Sequence, residues 1–320
     1  MGKSRDMEAY LRGDRLPKTV AAGCLAVLYV FFSIFGHHFF TVDTLIGILE
    51  SAYYVGFLAL GMTFVIITGG IDLSCGTVMV GSALIGGVAY NVWQMPIATS
   101  LLIVMASALL FNLCNGLLIG ALHLPPFIAT LGMQFISLGI CSVIAQVQTQ
   151  TYPALTSEDG WFKLVLYKFH NFPVGALWLA VFCAVGWSLL NKTILGRYTY
   201  AIGSNEEAVE LSGIKTSLWK IVVYLVNGFF VGLAGIIYAA TYSTITPQSG
   251  AGIEMYAIAA CIIGGTSLSG TILGVFVISV LRTGLLSMGF PVQWQQVLLG
   301  VVVLLAVLLD VSRARRANRT

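Results

Sequence analysis

Apolar residues run in long blocks along this chain, broken by short polar punctuation. The blocks read as Thr19–Phe35, Ile46–Thr68, Ile71–Tyr90, Ile97–Leu122, Phe127–Ala145, Val174–Leu190, Leu218–Tyr242, Glu254–Gly264, Thr271–Met288 and Val292–Leu309. Most approach the 20 or so residues that cross a hydrocarbon core about 30 Å thick. They lack the alternating ten-residue pattern of a membrane barrel. The chain is therefore expected to be an all-α polytopic membrane protein of about ten transmembrane helices. Glu254–Gly264 is too short to cross alone, and Gly69-Gly70 separates the second and third blocks. Broken helices are expected at both places, since irregular backbone at depth survives only when buried in protein or lining a cavity.

One stretch interrupts the pattern with purpose. Gly196–Ile214 is polar, lies between long apolar blocks and carries the signals of a short helix. Ser204 or Asn205 can cap its N-terminus, Glu206 and Glu207 suit the positive end of the helix dipole, and Gly213 can end it in a left-handed conformation. A rigid helix outside the bilayer suggests a docking partner; an ordinary solvated connector is the plainer reading.

Composition and charge sharpen the topology. The chain is 58% hydrophobic and 9% charged, against roughly 25% charged in a soluble domain. From Leu73 to Ser157 there is no Asp, Glu, Lys or Arg. Basic residues gather at Lys3, Arg5, Arg12, Arg15 and Lys18, around the polar stretch (Lys192, Arg197, Lys215, Lys220), and at Arg313, Arg315, Arg316 and Arg319. The positive-inside rule places all three regions in the cytoplasm. The loop Gln148–Phe172, where Lys163 and Lys168 face Glu158 and Asp159, falls outside. Six blocks precede the polar stretch and four follow it, which returns both termini to its side. Residues 1–18 and 311–320 are then cytoplasmic tails, 19–310 the transmembrane domain, and 192–217 a cytoplasmic segment within it. The first span is expected to be retained, because no small-residue cleavage site follows it. The net charge of +3 sorts by membrane side and does not point to nucleic acid. The cysteines fall in or beside apolar blocks without metal spacing and read as small hydrophobes.

Few residues suggest chemistry. Asp72 stands at the Gly-Gly break, where an acid at membrane depth is read as functional; as an N-cap of the third block, helped by Ser74, it would also be accounted for. Arg282 lies within an apolar block. It either faces the bundle, pairing with Asp72 or Glu254 or meeting a polar solute, or snorkels outward. Glu254 suits the first turn of its helix, and His37-His38 an interface. Gly69-Gly70-Ile71-Asp72-Leu73-Ser74 matches Gly264-Gly265-Thr266-Ser267-Leu268-Ser269 at four of six positions, a possible parallel internal repeat. There is no GxxxxGK[ST] phosphate loop, no H-E-x-x-H and no paired carboxylates. The competing functions are a transport subunit energised by another chain and an ion-coupled carrier using Asp72.

Four ordered blocks resemble the ribose-type permease subunits of bacterial ABC sugar importers, within the branched-chain amino acid and sugar permease superfamily. They are Gly61-Met62-Thr63 through Gly69-Gly70-Ile71-Asp72-Leu73-Ser74, Pro126-Phe127-Ile128-Ala129-Thr130-Leu131-Gly132, Gly203-x-Asn205-x-x-Ala208 with Leu211-Ser212-Gly213-Ile214, and Glu254-x-x-x-Ile258-Ala259 through Gly264-Gly265-Thr266-Ser267-Leu268. Trp294-Gln295-Gln296 and Val301–Asp310 are also similar. The resemblance implies a monosaccharide pathway through the bacterial inner membrane, shared with a second permease subunit, identical or a paralogue. A cytoplasmic ATP-binding subunit and a periplasmic sugar-binding protein are its implied partners, with membrane lipid around it. It implies no catalytic residue and no cofactor. Gly203, Asn205, Glu206, Glu207, Ala208, Leu211, Ser212 and Gly213 would meet the ATPase; Asp72, Ser74, Asn115, Phe127, Thr130, Thr266 and Arg282 would serve the pathway. Two positions depart from the pattern: fewer glycines follow Gly264-Gly265-Thr266-Ser267-Leu268, and Val209 stands where the family has a second alanine.

Overall fold

The computed structural model describes residues 2–166, 168–169, 172–291, 293–302, 304 and 308, with side chains from residue 18 onward except at 168, 169 and 172. The described chain is helical through most of its apolar blocks: α1 Gly2–Phe35, α2 Val42–Ile67, α3 Cys75–Asn91, α4 Ile97–Gly120, α5 Pro126–Ile144, α6 Val174–Lys192, α7 Ile194–Leu211, α8 Thr216–Tyr242, α9 Ile253–Ile263 and α10 Leu268–Ser287. Residues 293–302 are helical as well. Among the described residues, seven helices are long and apolar enough to cross a membrane, while α3 and α9 are apolar but shorter. The chain is thus an all-α polytopic membrane protein. The segment read as an N-terminal tail is continuous with α1 from Gly2.

Two compact units divide the chain, Tyr53–Glu254 and the remainder, Met1–Ala52 with Met255–Thr320. In the Tyr53–Glu254 unit α3 is the central helix, with every residue from Cys75 to Ala89 buried. A helix apolar on all sides has this fate. Against it α4 and α8 pack closely, because glycines remove the side chains between them. A Cβ on Gly116 would meet the Ile221 backbone at 3.0 Å, and one on Gly228 would meet Asn112 at 2.6 Å. Small residues let membrane helices approach in this way.

The ends of α8 carry different structures. Its 27 residues span about 40 Å. At its C-terminal end the loop before α6 is tied down: Gln150–Thr151 pairs antiparallel with Thr244–Ile245, and Lys163 Nζ donates to Ser243 Oγ at 2.6 Å. Burial holds the Lys163 amine below the ordinary lysine range, and the negative end of α8 faces it. Tyr90 of α3 donates to Asp159 at 2.9 Å. The chain then returns along α3, since Gly250 lies against Gly76. At the other end of α8 lies α7.

In the other unit, Phe32, Phe39, Ile48, Val280, Leu281 and Leu285 form the core. Gly284 of α10 admits the Phe32 ring, and the His37 N–H donates to the Ser287 carbonyl at 3.0 Å.

Both Gly-Gly sites end helices, as the sequence suggested, and in the same way. Gly69 (φ 80°) donates to Ile66 and Gly70 to Val65; Gly265 (φ 66°) donates to Ile262 and Thr266 to Cys261. Each is the paired 5→2 and 6→1 closure around a left-handed residue. Gly69 and Gly265 occupy equivalent left-handed places, one position away from the sequence match, and at the second site Thr266 (φ 54°) is left-handed as well. The third block was expected to become helical at Ile71. Helix α3 begins only at Cys75, because Asp72 turns the chain and holds the Ser74 N–H.

The turn lacking the family's extra glycines is compact rather than broken. Ser267 Oγ caps α10 by accepting from Gly270 N–H at 3.3 Å, so the helix starts at Leu268, three residues before the expected Thr271. Gly264 and Gly270 touch backbone to backbone, and Gly274 meets Ala260 one turn on.

Candidate functional site

Two features of the Tyr53–Glu254 unit stand out: a buried polar cluster at the first break, and the exposed helix at the head of α8. In the cluster, Asp72, Ser74, Asn112, Asn115, Thr130 and Asn227 are all fully buried. Asp72 Oδ1 accepts from the Ser74 N–H at 2.8 Å and the Ser74 hydroxyl at 2.6 Å. Its Oδ2 accepts from Asn227 Nδ2 of α8 at 2.6 Å. The same amide nitrogen donates to Asn112 Oδ1 of α4 at 3.1 Å. Asn115 Nδ2 donates to Ser74 Oγ at 2.9 Å. The Ile71 carbonyl, freed by the break, accepts from Thr130 of α5 at 3.2 Å and from Tyr224 of α8 at 3.5 Å. Side chains of α5 and α8 thus satisfy the freed backbone carbonyl, which is what depth in a membrane demands.

Ser74, not Asp72, stands at the N-cap of the third block, and no side chain caps that helix; Asp72 holds the turn before it through the Ser74 N–H and hydroxyl and joins that turn to α8. Asp72→Ala removes one acceptor from three buried donors. The expected cost is about 3 kcal/mol or more, read as a lower melting temperature of the detergent-solubilised chain. Asp72→Asn, still able to accept at Oδ1, is expected to lose less.

Glu254 is nearly buried at the same end of α3. It accepts from the Gly252 N–H at 3.1 Å and from Gln134 Nε2 at 3.0 Å, and its carboxylate lies where a Cβ on Gly76 would be, 2.6 Å away. Its expected place in the first turn of α9 holds. Phe127 is 56% exposed at the head of α5. In the other unit, Thr266 closes α9 through its N–H, and the Arg282 guanidinium stacks over the Tyr256 ring at 4.5 Å. Of the expected pathway residues, the fold brings together Asp72, Ser74, Asn115 and Thr130. Asn112 and Asn227 complete their cluster, and only their amide character within apolar blocks marked them in the sequence.

The polar stretch forms two helical pieces, not one. Helix α7 is non-helical at Asn205 (φ −160°, ψ 97°). The first piece packs through Gly196, Thr199 and Ile202, with Tyr198 and Trp219 in ring contact at 4.6 Å. Two glycines obscured its helical character in the sequence. The second piece begins at Asn205, whose Oδ1 accepts from the Ala208 N–H at 3.0 Å. It ends where Gly213 (φ 83°) donates to Glu210 and Ile214 to Val209. Of the two possible N-caps, Asn205 is the one used. Glu207, Ala208, Leu211, Ser212 and Gly213 are exposed, Leu211 at 85%, while Val209 is 8% exposed and faces the protein. The valine in the place of alanine is therefore on the inner side of this helix.

Two attachments hold the piece. Glu206 pairs with Lys220 of α8 at 2.5 Å, and Glu210 accepts a hydrogen bond from Thr216 at the start of α8. Just before it, Gly203 rests on the carbonyl of Ile67, the last residue of α2.

A multi-pass helical chain with broken helices and a capped surface helix has the build of a transport permease, and sequence comparison agrees. Residues 44–307 match the model of the branched-chain amino acid transport system / permease component; the chain belongs to that family. It is 36% identical to the ribose import permease protein of Escherichia coli (strain K12) over 89% of this chain and 91% of that protein. The ribose import permease protein of Bacillus subtilis (strain 168) is also 36% identical, over 89% and 90%. The fructose import permease protein of Rhizobium meliloti is 32% identical over 88% and 82%.

Proposed function

We propose that this chain is the translocation subunit of an ATP-driven importer for ribose or a similar monosaccharide in the bacterial inner membrane. The named relatives import ribose and fructose, and the chain covers nearly their whole length. In this reading ten crossings place residues 1–18, 192–217 and 311–320 in the cytoplasm and the loop before α6 in the periplasm. Residues 19–310 form the permease domain, and the Gly-Gly sites are traces of an internal repeat. A second permease subunit shares the pathway, an ATP-binding subunit supplies the energy, and a periplasmic binding protein delivers the sugar.

The observation that carries the reading is the capped helix at 205–213, exposed on one side and bound to α8 on the other. It presents Glu207, Ala208, Leu211 and Ser212 to the ATPase, with Gly203, Asn205, Glu206 and Gly213 setting its pose. Phe127 lines the pathway, with Thr266 and Arg282 assigned to it as well. Asp72, Ser74, Asn115 and Thr130 shape its wall from behind.

A cysteine at Glu207, in a cysteine-free background, is expected to crosslink to the ATPase subunit in a transport-active complex. Active complexes that give no crosslink would remove the docking role. Gradient-driven uptake by the chain alone, without ATP, would instead make it an ion-coupled carrier.

A further inference from the structure

We infer that Asp72 is a positioning residue for coupling: its bond to Asn227 closes a ring that ties the surface helix to the first break along two separate routes. The inference rests on the importer reading above.

One route leaves through α2. Gly203 sits against the Ile67 carbonyl, and only Thr68, the Gly69-Gly70 turn and Ile71 separate Ile67 from Asp72. The other leaves through α8. Glu206 holds Lys220, and Glu210 holds Thr216. Asn227 lies seven residues, two turns, beyond Lys220 on the same face of α8. Its amide reaches Asp72 Oδ2 at 2.6 Å. A displacement of the surface helix therefore acts on both arms. With the closing bond in place, the break and the head of α3 must follow α8. Without it, α8 can shear past the break, and the motion is lost as sliding between helices.

The surroundings favour a firm bond. Both residues are fully buried, where a hydrogen bond to a carboxylate is short and strong. Asn227 Oδ1 faces Gly61, 2.6 Å from where a Cβ would stand. Turning the amide over would press two hydrogens on that wall and take the donor away from Asn112. Orientation is thus fixed, and the bond needs one carboxylate and one amide between positions 72 and 227.

The test uses the whole complex with its ATPase and binding protein in proteoliposomes, with tritiated ribose as the probe, and reads ATP hydrolysed per sugar imported. Asp72→Asn keeps an oxygen for the Ser74 N–H and hydroxyl but sets two NH2 groups against each other; a rise of about tenfold in that ratio is expected. Asn227→Ser leaves the Asp72–Ser74 turn untouched and is expected to give the same rise. The exchange Asp72→Asn with Asn227→Asp restores one carboxylate and one amide, and is expected to return the ratio to near the wild-type value. A role in stability alone would lower the amount of complex and leave the ratio unchanged. An unchanged ratio in both single variants, or an exchange no better than either, overturns the inference alone. A wild-type chain that recovers no ATPase overturns the importer reading and this inference with it.

Discussion

Gly270→Val is expected to leave almost no folded chain in the membrane. Residues 264–267 are all that separate α9 from α10, so the two helices must start side by side. Gly264 and Gly270 make that possible by meeting backbone to backbone, and Gly274 repeats the contact on Ala260. A Cβ on Gly270 would overlap the Gly264 carbonyl. The atoms in the way are backbone, so no rotamer relieves the clash. Overpacking a core costs about 1–3 kcal/mol when side chains can shift; here the helices themselves must part, and the cost is expected at the upper end or beyond. Gly270→Ala should move in the same direction by less. Ser269→Ala, on the exposed neighbour, should change little. Size-exclusion profiles and melting temperatures in detergent would separate the three.

The same turn shows what a sequence can and cannot convey. Glycine pairs at 69–70 and 264–265 were legible as breaks because glycine alone enters the left-handed region without strain. Asn205 and Gly213 were legible as caps for the same kind of local reason. What stayed hidden depends on distant partners. Asn227 meets Asp72 across 155 residues, and Asn115 meets Ser74 across 41; nothing in the spacing of an apolar block says which amide faces which break. The burial of Val209 was equally hidden, because a helix of two turns shows too few apolar positions to reveal its inner face. The first piece of α7 escaped notice because glycine and threonine lower helix propensity, and tertiary contacts of Gly196, Thr199 and Ile202 override that preference.

Gly203→Leu is expected to abolish uptake while the chain still folds and inserts. Gly203 is on the surface, so a larger side chain has solvent on one side. Its Cα nevertheless lies so close to the Ile67 carbonyl that a Cβ would overlap that oxygen. The nearest relief is for the surface helix to lift away from the end of α2. That strains the ion pair of Glu206 with Lys220 and the hydrogen bond of Thr216 to Glu210, which hold the helix from the α8 side. An exposed ion pair contributes about 0–1 kcal/mol, too little to resist a backbone clash, so the helix moves and the core stays. Its outer face, with Leu211 at the tip, then meets a partner in a changed pose. Each 1.4 kcal/mol of binding lost is tenfold in affinity. A misplaced helix that loses about 3 kcal/mol against the ATPase would weaken docking more than a hundredfold. Membrane levels and melting temperature near wild type, with ribose uptake lost and ATPase recovery reduced on purification, is the expected pattern. Normal uptake by Gly203→Leu would show that contact with the end of α2 does not set the pose of the helix.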